Sequence, residues 1–361
     1  MSDDEKIMAQ CIRLAKKGKG FVSPNPLVGS VVIKGNKIIG RGYHKKYGDA
    51  HAEVNAIADA EKKGFNVKGA ELFVNLEPCA HKGKTSSCAE FIASKKIKRV
   101  VIGMKDPFIK VNGKGIEILK KNAIEVSCGV LVNECRELNK FFIKYVTKKL
   151  PYVTLKIAQS IDGKIALNNF ESKYITGEAS RKAVHKLRSE YDAVLIGKNT
   201  AVKDNPSLTV RDVKGRDPIR LVIDRKNTLP PELNLFTDSN RDKTFVITGK
   251  SAAERKTHKY LIRMSDDSKE FKVKDILKLL YKFKLNSILV EGGSKLFSQF
   301  LKEGMFDEIY FFIAPVIIGN GISPFDSIKI DSLKDKEVLL KEYISILDND
   351  ILIKYRKCLQ E

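Results

Sequence analysis

Tryptophan is absent from the 361 residues, and cysteine and histidine are scarce, with six and five copies. Six cysteines in so long a chain are too few for a disulfide scaffold. No apolar run approaches a membrane span. The longest, "IYFFIAPVII" at 309–318, covers about half of the ~20 residues required and contains a proline. The opening "MSDDEKIMAQ" is acidic and amphipathic, unlike a secretion signal. Internal repeats and low-complexity tracts are also lacking. Together these absences lead us to expect a soluble, cytoplasmic protein without a membrane partner.

Acidic residues are outnumbered, 44 against 66 lysines and arginines, which leaves a formal charge of +22. Such a balance attracts phosphate, whether in nucleic acid or in metabolites. The lysines are nevertheless scattered. The densest runs are only "KKGKG" (16–20) and "SKKIKR" (94–99), and no stretch interleaves aromatics with lysines as a stacking platform would. A lysine-rich solvated surface is therefore expected, with no nucleic-acid partner. The hydrophobic content of 43% is that of an ordinary globular protein, and the length suggests two domains.

The first half alternates helix and strand. Residues 3–17 carry Ile7, Cys11, Leu14 and Ala15 on one helical face, and strands at 27–33 and 37–42 flank a "KGN" turn as a hairpin. A helix at 51–64, a strand at 71–76, a helix at 88–96 and a strand at 99–104 follow. A short helix "GIEILKKN", a strand "IEVS" and a closing helix at 133–146 complete the pattern of a mixed sheet covered on both faces. The charged, proline-containing "TKKLPYV" (147–153) marks a boundary, so we expect domains at 1–147 and 150–361. In the second half, strands are expected at 153–158, 192–197, 219–224, 244–248, 287–292 and 308–318. Helices are expected at 179–190, 274–284 and 294–303.

Two of the few cysteines stand together in "NLEPCAHKGKTSSC" (75–88), at the exit of a strand and the entry to a helix. The positive end of that helix favours thiolate at Cys88. Upstream, "HAE" places His51 at a helix N-terminus and Glu53 in its first turn. One imidazole and two thiolates from Cys79 and Cys88 give three ligands, so a tetrahedral zinc would keep an open position, the mark of a catalytic site. Its water would have a pKa near ~7, and Glu53 would move the proton. His-x-Glu followed by Pro-Cys is the order found in zinc deaminases, although here eight residues rather than two separate the cysteines.

That longer spacing, with "SPNPLVGSVV" (23–32), "GYHKKYGDAHAEVNA" (42–56) and "LKIAQSIDGKIA" (155–166), resembles the bifunctional riboflavin-biosynthesis deaminase–reductases over essentially the whole chain. The resemblance implies an α/β protein. Its N-terminal domain would be a cytidine-deaminase-like three-layer α/β/α sandwich, and its C-terminal domain would be α/β and dihydrofolate-reductase-like. It implies two reactions: zinc-hydroxide deamination of 2,5-diamino-6-ribosylamino-4(3H)-pyrimidinone 5′-phosphate, then reduction of the ribosyl group to ribityl by NADPH. The family also suggests a homo-oligomer, dimeric or tetrameric through the reductase half.

By position, His51, Cys79 and Cys88 match the zinc ligands and Glu53 the catalytic proton shuttle. Asn25, His44, His81 and Lys84 match substrate contacts, although both histidines also suit solvated loops. Asn75 replaces the family's usual threonine, and "SSC" its usual Pro-Pro-Cys. Neither change removes a ligand, so little effect on the chemistry is expected. In the second half, Ser172, Arg188, Leu208, Arg211 and Glu291 match substrate positions. An arginine pair suits a phosphate because each fork can bind it bidentately. Ala158, Tyr174 (commonly Trp in the family), Thr200 and Asp204 match cofactor positions. So does the helix start in "LVEGGSKLFSQFL", where Gly293, Ser294, Lys295, Leu296, Phe297, Ser298 and Gln299 line the pyrophosphate. A helix start presents free N–H groups to phosphate, and glycine permits close approach. No G-x-G-x-x-G is present, so a Rossmann fold is not expected. Asp162 fits either a proton donor or a turn residue, and Arg225 could meet the cofactor's 2′-phosphate. The competing reading is a zinc-dependent nucleic-acid base deaminase with a C-terminal binding module.

Overall fold

The computed structural model describes residues 2–80, 87–109, 111–255 and 260–358. The chain divides into two compact units, Met1–Lys149 and Leu150–Glu361. In the first unit, helix α1 (Asp3–Ala15) opens on a capping box: Ser2 Oγ accepts the Glu5 N–H, and Glu5 Oε2 accepts that of Ser2. Strands β1 (Gly29–Lys34) and β2 (Lys37–Tyr43) form the expected hairpin, turning at Gly35 with φ +59°. Then come α2 (Ala52–Lys62), β3 (Glu71–Leu76), α3 (Cys88–Ser94), β4 (Arg99–Met104), α4 (Lys114–Lys121) and β5 (Glu125–Cys128).

The sheet runs β2-β1-β3-β4-β5, antiparallel across β1 and parallel from β3 to β5. Alternation along its strands gives each face a core of its own. Val32, Leu72, Val74, Val100 and Ile102 pack with Ala56, Ile57, Ile92, Ile116 and Leu119 of α2, α3 and α4. Val31, Phe73 and Val101 pack with Met8, Cys11 and Ile12 of α1 and with Cys135 and Phe142. This is the three-layer α/β/α arrangement. The closing helix is two helices, α5 (Val132–Leu138) and α6 (Lys140–Lys148), interrupted at Asn139. Its buried amide is committed elsewhere: Oδ1 accepts the Leu27 N–H at 2.8 Å, and Nδ2 donates to Leu27 O at 3.0 Å.

The second unit contains β6 (Tyr152–Ser160), β7 (Ala166–Leu167), α7 (Glu178–Glu190), β8 (Ala193–Gly197), α8 (Lys198–Asp204), β9 (Ile219–Ile223), α9 (Asn234–Thr237), β10 (Thr244–Thr248) and β11 (Leu261–Arg263). It continues with α10 (Val273–Lys282), β12 (Ser287–Gly292), α11 (Ser294–Lys302), β13 (Glu308–Ala314), β14 (Gly321–Ile322), β15 (Leu339–Leu347) and β16 (Asp350–Lys357). Its main sheet has the order β11-β10-β9-β8-β12-β6-β13-β16-β15, parallel except at β16 and β15. The central strands are apolar on both faces, as parallel strands under helices must be: Val153, Leu155, Leu195, Ile288 and Val290 are fully buried. In open sheets of this kind ligands bind beyond the carboxyl ends of the strands, where strand order reverses. Here that place is the end of β8, β12 and β6.

Candidate functional sites

The first site forms where α2 and α3 begin. Gly42 lets β2 lie directly on α2, since a Cβ there would stand 2.3 Å from Ala56 N and 2.5 Å from Ala52 O. That contact fixes the start of α2 against the sheet. His51 occupies the N-cap in extended conformation, but its side chain caps nothing. The imidazole is turned to the cysteines instead. Nδ1 lies 3.1 Å from Cys88 Sγ and 3.7 Å from Cys79 Sγ, and all three donor atoms fall within 4.8 Å of one another. Donors placed 2.0–2.3 Å from a tetrahedral zinc stand roughly 3.6 Å apart, so this set fits that ion. Cys88 opens α3 behind the N-cap Ser87, and its N–H donates to Cys79 Sγ at 3.3 Å.

Electrostatics within the triad are polarised. A hydrogen bond from the Cys88 thiol, opposed by burial, brings Cys79 down to about 4, and the same bond with burial pushes Cys88 up. Glu53 is buried (3% exposed) and is pushed up to about 6, chiefly by burial, against the pull of His51. A carboxyl in that range exchanges its proton near neutral pH.

Around the triad, buried amides and carboxylates hold the backbone. Glu77 accepts four backbone N–H groups, from Asp106, Gly113, Gly115 and Ile116, which ties the strand exit that carries Cys79 to the start of α4. Asp106 is pushed up to about 6 by burial. His44 is buried rather than a solvated loop residue. Its Nδ1 donates to Ala50 O at 3.2 Å, so Nε2 is the acceptor for Asn25 Nδ2 at 3.1 Å. The amide of Asn25 is thereby oriented from within. Asn75 turns out to be structural: Oδ1 accepts the Gly29 N–H at 2.7 Å and Nδ2 donates to Leu27 O at 2.9 Å. Together Asn75 and Asn139 grip the segment that carries Asn25. His81 and Lys84 lie outside the described residues.

In the second unit, Arg188 of α7 forks onto Glu291 of β12, with Nε to Oε1 at 2.6 Å and Nη2 to Oε2 at 2.9 Å. Burial raises Glu291, but the Arg188 charge outweighs it and holds the carboxylate below its ordinary range. Lys156 of β6 stands 3.9 Å from the same carboxylate, and burial lowers its pKa. Ser172 Oγ donates to Asp204 Oδ1 at 2.9 Å, and burial raises Asp204. Leu208 is buried at φ +52°, whereas Arg211 is exposed. Thr200, in the first turn of α8, meets Gly293 at the start of α11: a Cβ on Gly293 would sit 3.0 Å from Thr200 Oγ1, and its φ of +80° favours glycine. The two helix starts therefore lie side by side beyond β8 and β12.

Residues 1–104 match the cytidine and deoxycytidylate deaminase zinc-binding region, and residues 151–344 match the RibD C-terminal domain. The riboflavin biosynthesis protein RibD of Aquifex aeolicus is 42% identical over 355 residues, 98% of either chain. That of Bacillus amyloliquefaciens is 41% identical, covering 89% of this chain and 87% of its own. The chain belongs to the RibD family. RibD-type structures agree. A diaminohydroxyphosphoribosylaminopyrimidine deaminase/5-amino-6-(5-phosphoribosylamino)uracil reductase from Thermotoga maritima superposes with a TM-score of 0.89 at 40% identity, covering 98% of this chain and 99% of that one. RibD from Acinetobacter baumannii gives 0.88 at 33% identity, with 99% of each chain covered. A nucleic-acid module in the second half is not favoured, because that half carries the RibD reductase domain. Among the described residues no helix is long and apolar enough to cross a membrane.

Within this RibD chain the structure sorts the remaining expected residues. Of the α11 stretch, Leu296 and Phe297 point into the core, and Ser298 Oγ accepts the Ser327 N–H. Gln299 reaches Phe271 O and Ser294 Oγ accepts the Asp326 N–H, while Lys295 is exposed. The Leu296 and Phe297 N–H groups are taken by Gly293 O. Only the first turn can present backbone to a pyrophosphate. Ala158 pairs with Phe312 in the sheet and packs beside Val184 and Leu352. Tyr174 is 78% exposed, with the Arg181 guanidinium 5.1 Å from its ring centre. Arg225 reaches Asp267 O at 3.4 Å, at the end of β9. Asp162 is a clasp rather than a proton donor: it accepts the Ile318 and Gly319 N–H groups at 3.1 and 2.7 Å. A hydrogen bond from Ser160, with those amides, holds it down to about 2. Sequence reasoning missed Lys156. Its one legible signal is a lysine inside an otherwise apolar strand, "VTLKIA".

Proposed function

We propose that this chain carries out two successive steps of riboflavin biosynthesis. It deaminates 2,5-diamino-6-ribosylamino-4(3H)-pyrimidinone 5′-phosphate, and it then reduces the ribosyl group of the product to ribityl with NADPH. The observation that carries the reading is the His51–Cys79–Cys88 triad beside buried Glu53 in one unit, joined to a RibD reductase domain in the other.

In the first site His51, Cys79 and Cys88 would hold the ion. When bound, zinc supplies the Lewis acidity that makes water nucleophilic near neutral pH. Glu53 would move a proton at its carboxylate, from the attacking water to the leaving amino group, a role suited to a carboxyl raised to about 6. The Asn25 side chain, oriented by His44, offers donor and acceptor to the pyrimidine edge. In the second site NADPH supplies the hydride when bound. The start of α11 and Thr200 would bind its phosphates, and Arg225 and Tyr174 would contribute further contacts to it. Ser172 and Asp204 hold the ribose hydroxyls. The Lys156 ammonium carries the proton that accompanies the hydride, and Glu291 keeps it and Arg188 in place. Because the Arg188 fork is committed to Glu291, Arg211 is the arginine left to meet the substrate phosphate.

The test is turnover of the aminopyrimidine phosphate with and without NADPH, together with metal analysis. Glu53→Gln should keep its zinc and its reductase activity but lose deamination by about 10²–10⁴-fold. Normal deamination by that variant would overturn the assignment. A second copy of the chain is the expected partner. Ile346 opposite Ile351, with Ile344, leaves an apolar face on the edge strand β15 at 67%, 36% and 53% exposure. Sedimentation of Ile346→Lys should show dissociation, and an unchanged mass would remove this surface from the reading.

A further inference from the structure

We propose that His185, on α7, is a positioning residue that fixes the loop presenting Arg211 to the substrate phosphate. The inference rests on the assignment of Arg211 made above.

The loop from Asn205 to Arg211 has no regular hydrogen-bond ladder and an unfavourable backbone. Asn205 and Leu208 lie at φ +41° and +52°, and Leu208 is buried there, where a residue with a Cβ is seldom found. Such a conformation persists only when its surroundings over-determine it. Side chains from beneath do so. Arg220, 1% exposed on β9, donates from Nη1 to Ser207 O at 2.9 Å and is itself forked onto Asp238 at 2.6 and 2.9 Å. Asp217 Oδ1 accepts the Val210 N–H at 2.7 Å. Between them, Thr209 O accepts two donors: His185 Nδ1 at 2.8 Å and Arg188 Nη1 at 3.1 Å.

His185 and Arg188 are one turn apart on α7, so they share a face. A carbonyl oxygen can only accept, so the His185 proton sits on Nδ1. Nε2 faces Asp212 Oδ2 at 3.3 Å, and burial with the neighbouring Arg188 lowers the ring's pKa. With both acceptor directions of Thr209 O occupied, the chain leaves the loop at a fixed angle. Exposed Arg211 follows two residues later. An arginine launched from a fixed backbone loses less freedom when it meets a phosphate than one on a swinging loop. That gain lies in ground-state binding, so it lowers KM and leaves the hydride step alone.

The donor position gives a specific test. The side-chain N–H₂ of asparagine falls where Nδ1 lies, and that of glutamine where Nε2 lies. Reduction is measured in the full chain for the wild type, His185→Asn, His185→Gln and Arg211→Ala. The substrates are the deaminated aminopyrimidine ribosyl phosphate and its dephosphorylated counterpart. Retained kcat on the dephosphorylated substrate reports that the reductase unit of each variant is folded. Arg211→Ala should lose the preference for the phosphorylated substrate. His185→Gln should raise KM for the phosphorylated substrate roughly five- to tenfold, with kcat within about twofold and the dephosphorylated substrate unaffected. His185→Asn should restore the wild-type KM. Equal KM values for wild type and His185→Gln, or equal impairment by Asn and Gln, would overturn the proposal while leaving Arg211 in place. Undiminished preference in Arg211→Ala would remove the phosphate assignment itself, and the proposal with it.

Discussion

The two sites are built in opposite ways. The candidate deaminase triad comes from two short stretches: His51 stands at the start of α2, and Cys79 and Cys88 stand after β3 and at the start of α3. The proposed reductase site draws single residues from β6, the Ser172 segment, α7, α8, the Leu208–Arg211 loop and β12. A metal demands particular donor types at short range, so few sequences satisfy it and those that do stand out. A cleft for a sugar phosphate and a dinucleotide tolerates many residues at each point, provided the fold brings them together. The first kind of site breaks at one atom, and the second degrades by degrees.

Cys88→Ser tests the first half of that contrast and carries the largest expected effect. Removing one of three donors should abolish zinc binding and deamination, by at least ~10³-fold, while NADPH-dependent reduction of the deaminated substrate stays within twofold. Metal analysis with separate assays of the two steps measures it. Loss of both activities would mean the units are not chemically independent.

Glu291→Gln probes the second site. It leaves the buried Arg188 charge without its carboxylate, and should cost roughly 3 kcal/mol of stability at neutral pH along with reductase activity. The pairing holds the folded-state pKa of Glu291 below its unfolded value of 4.5. Its contribution is therefore complete above 4.5 and fades as pH falls through the lower, folded value. Thermal melts of wild type and variant should lie furthest apart near pH 7 and converge in acid. A gap that stays constant down to pH 3 would contradict the ion pair.

The smallest effect is expected from Asn75→Thr, which installs the residue usual in the family. The Leu27 and Gly29 hydrogen bonds of Asn75 would be lost, while Asn139 keeps its own pair on Leu27. A loss of about 1 kcal/mol and a few-fold rise in KM for deamination, with kcat retained, should result. Differential scanning calorimetry and deaminase kinetics would detect both. An unchanged KM would show that the grip on this loop does not reach Asn25.

Much of the architecture was legible because it follows from periodicity. The strands at 71–76, 99–104, 244–248 and 287–292 stand at the residues expected, and the hairpin turns at its glycine. The edge strand β15 and its neighbour β16 were not legible, since "LLKEYISIL" is neither buried nor strictly alternating. The break at Asn139 was hidden as well. Local pattern favours one continuous helix there, and only a contact 112 residues away in sequence, with Leu27, interrupts it.

Among site residues, the spacing of His51, Cys79 and Cys88 marked them as candidate metal donors, and the fold brings their donor atoms within 4.8 Å of one another; ligand chemistry and helix-start geometry are local properties. Which way Arg188, Asp162 and Asn75 would turn was settled only by packing. Arg188 could have pointed to a phosphate, and Asp162 could have carried a proton. The tertiary structure instead commits one to Glu291 and the other to two backbone amides of a distant loop. The sequence alone determined the candidate donors and the layered fold, because both depend on residue type and short-range order. The partners of the buried polar side chains were decided only in three dimensions, since a buried charge or amide takes whichever complementary group the fold brings within about 3 Å of it.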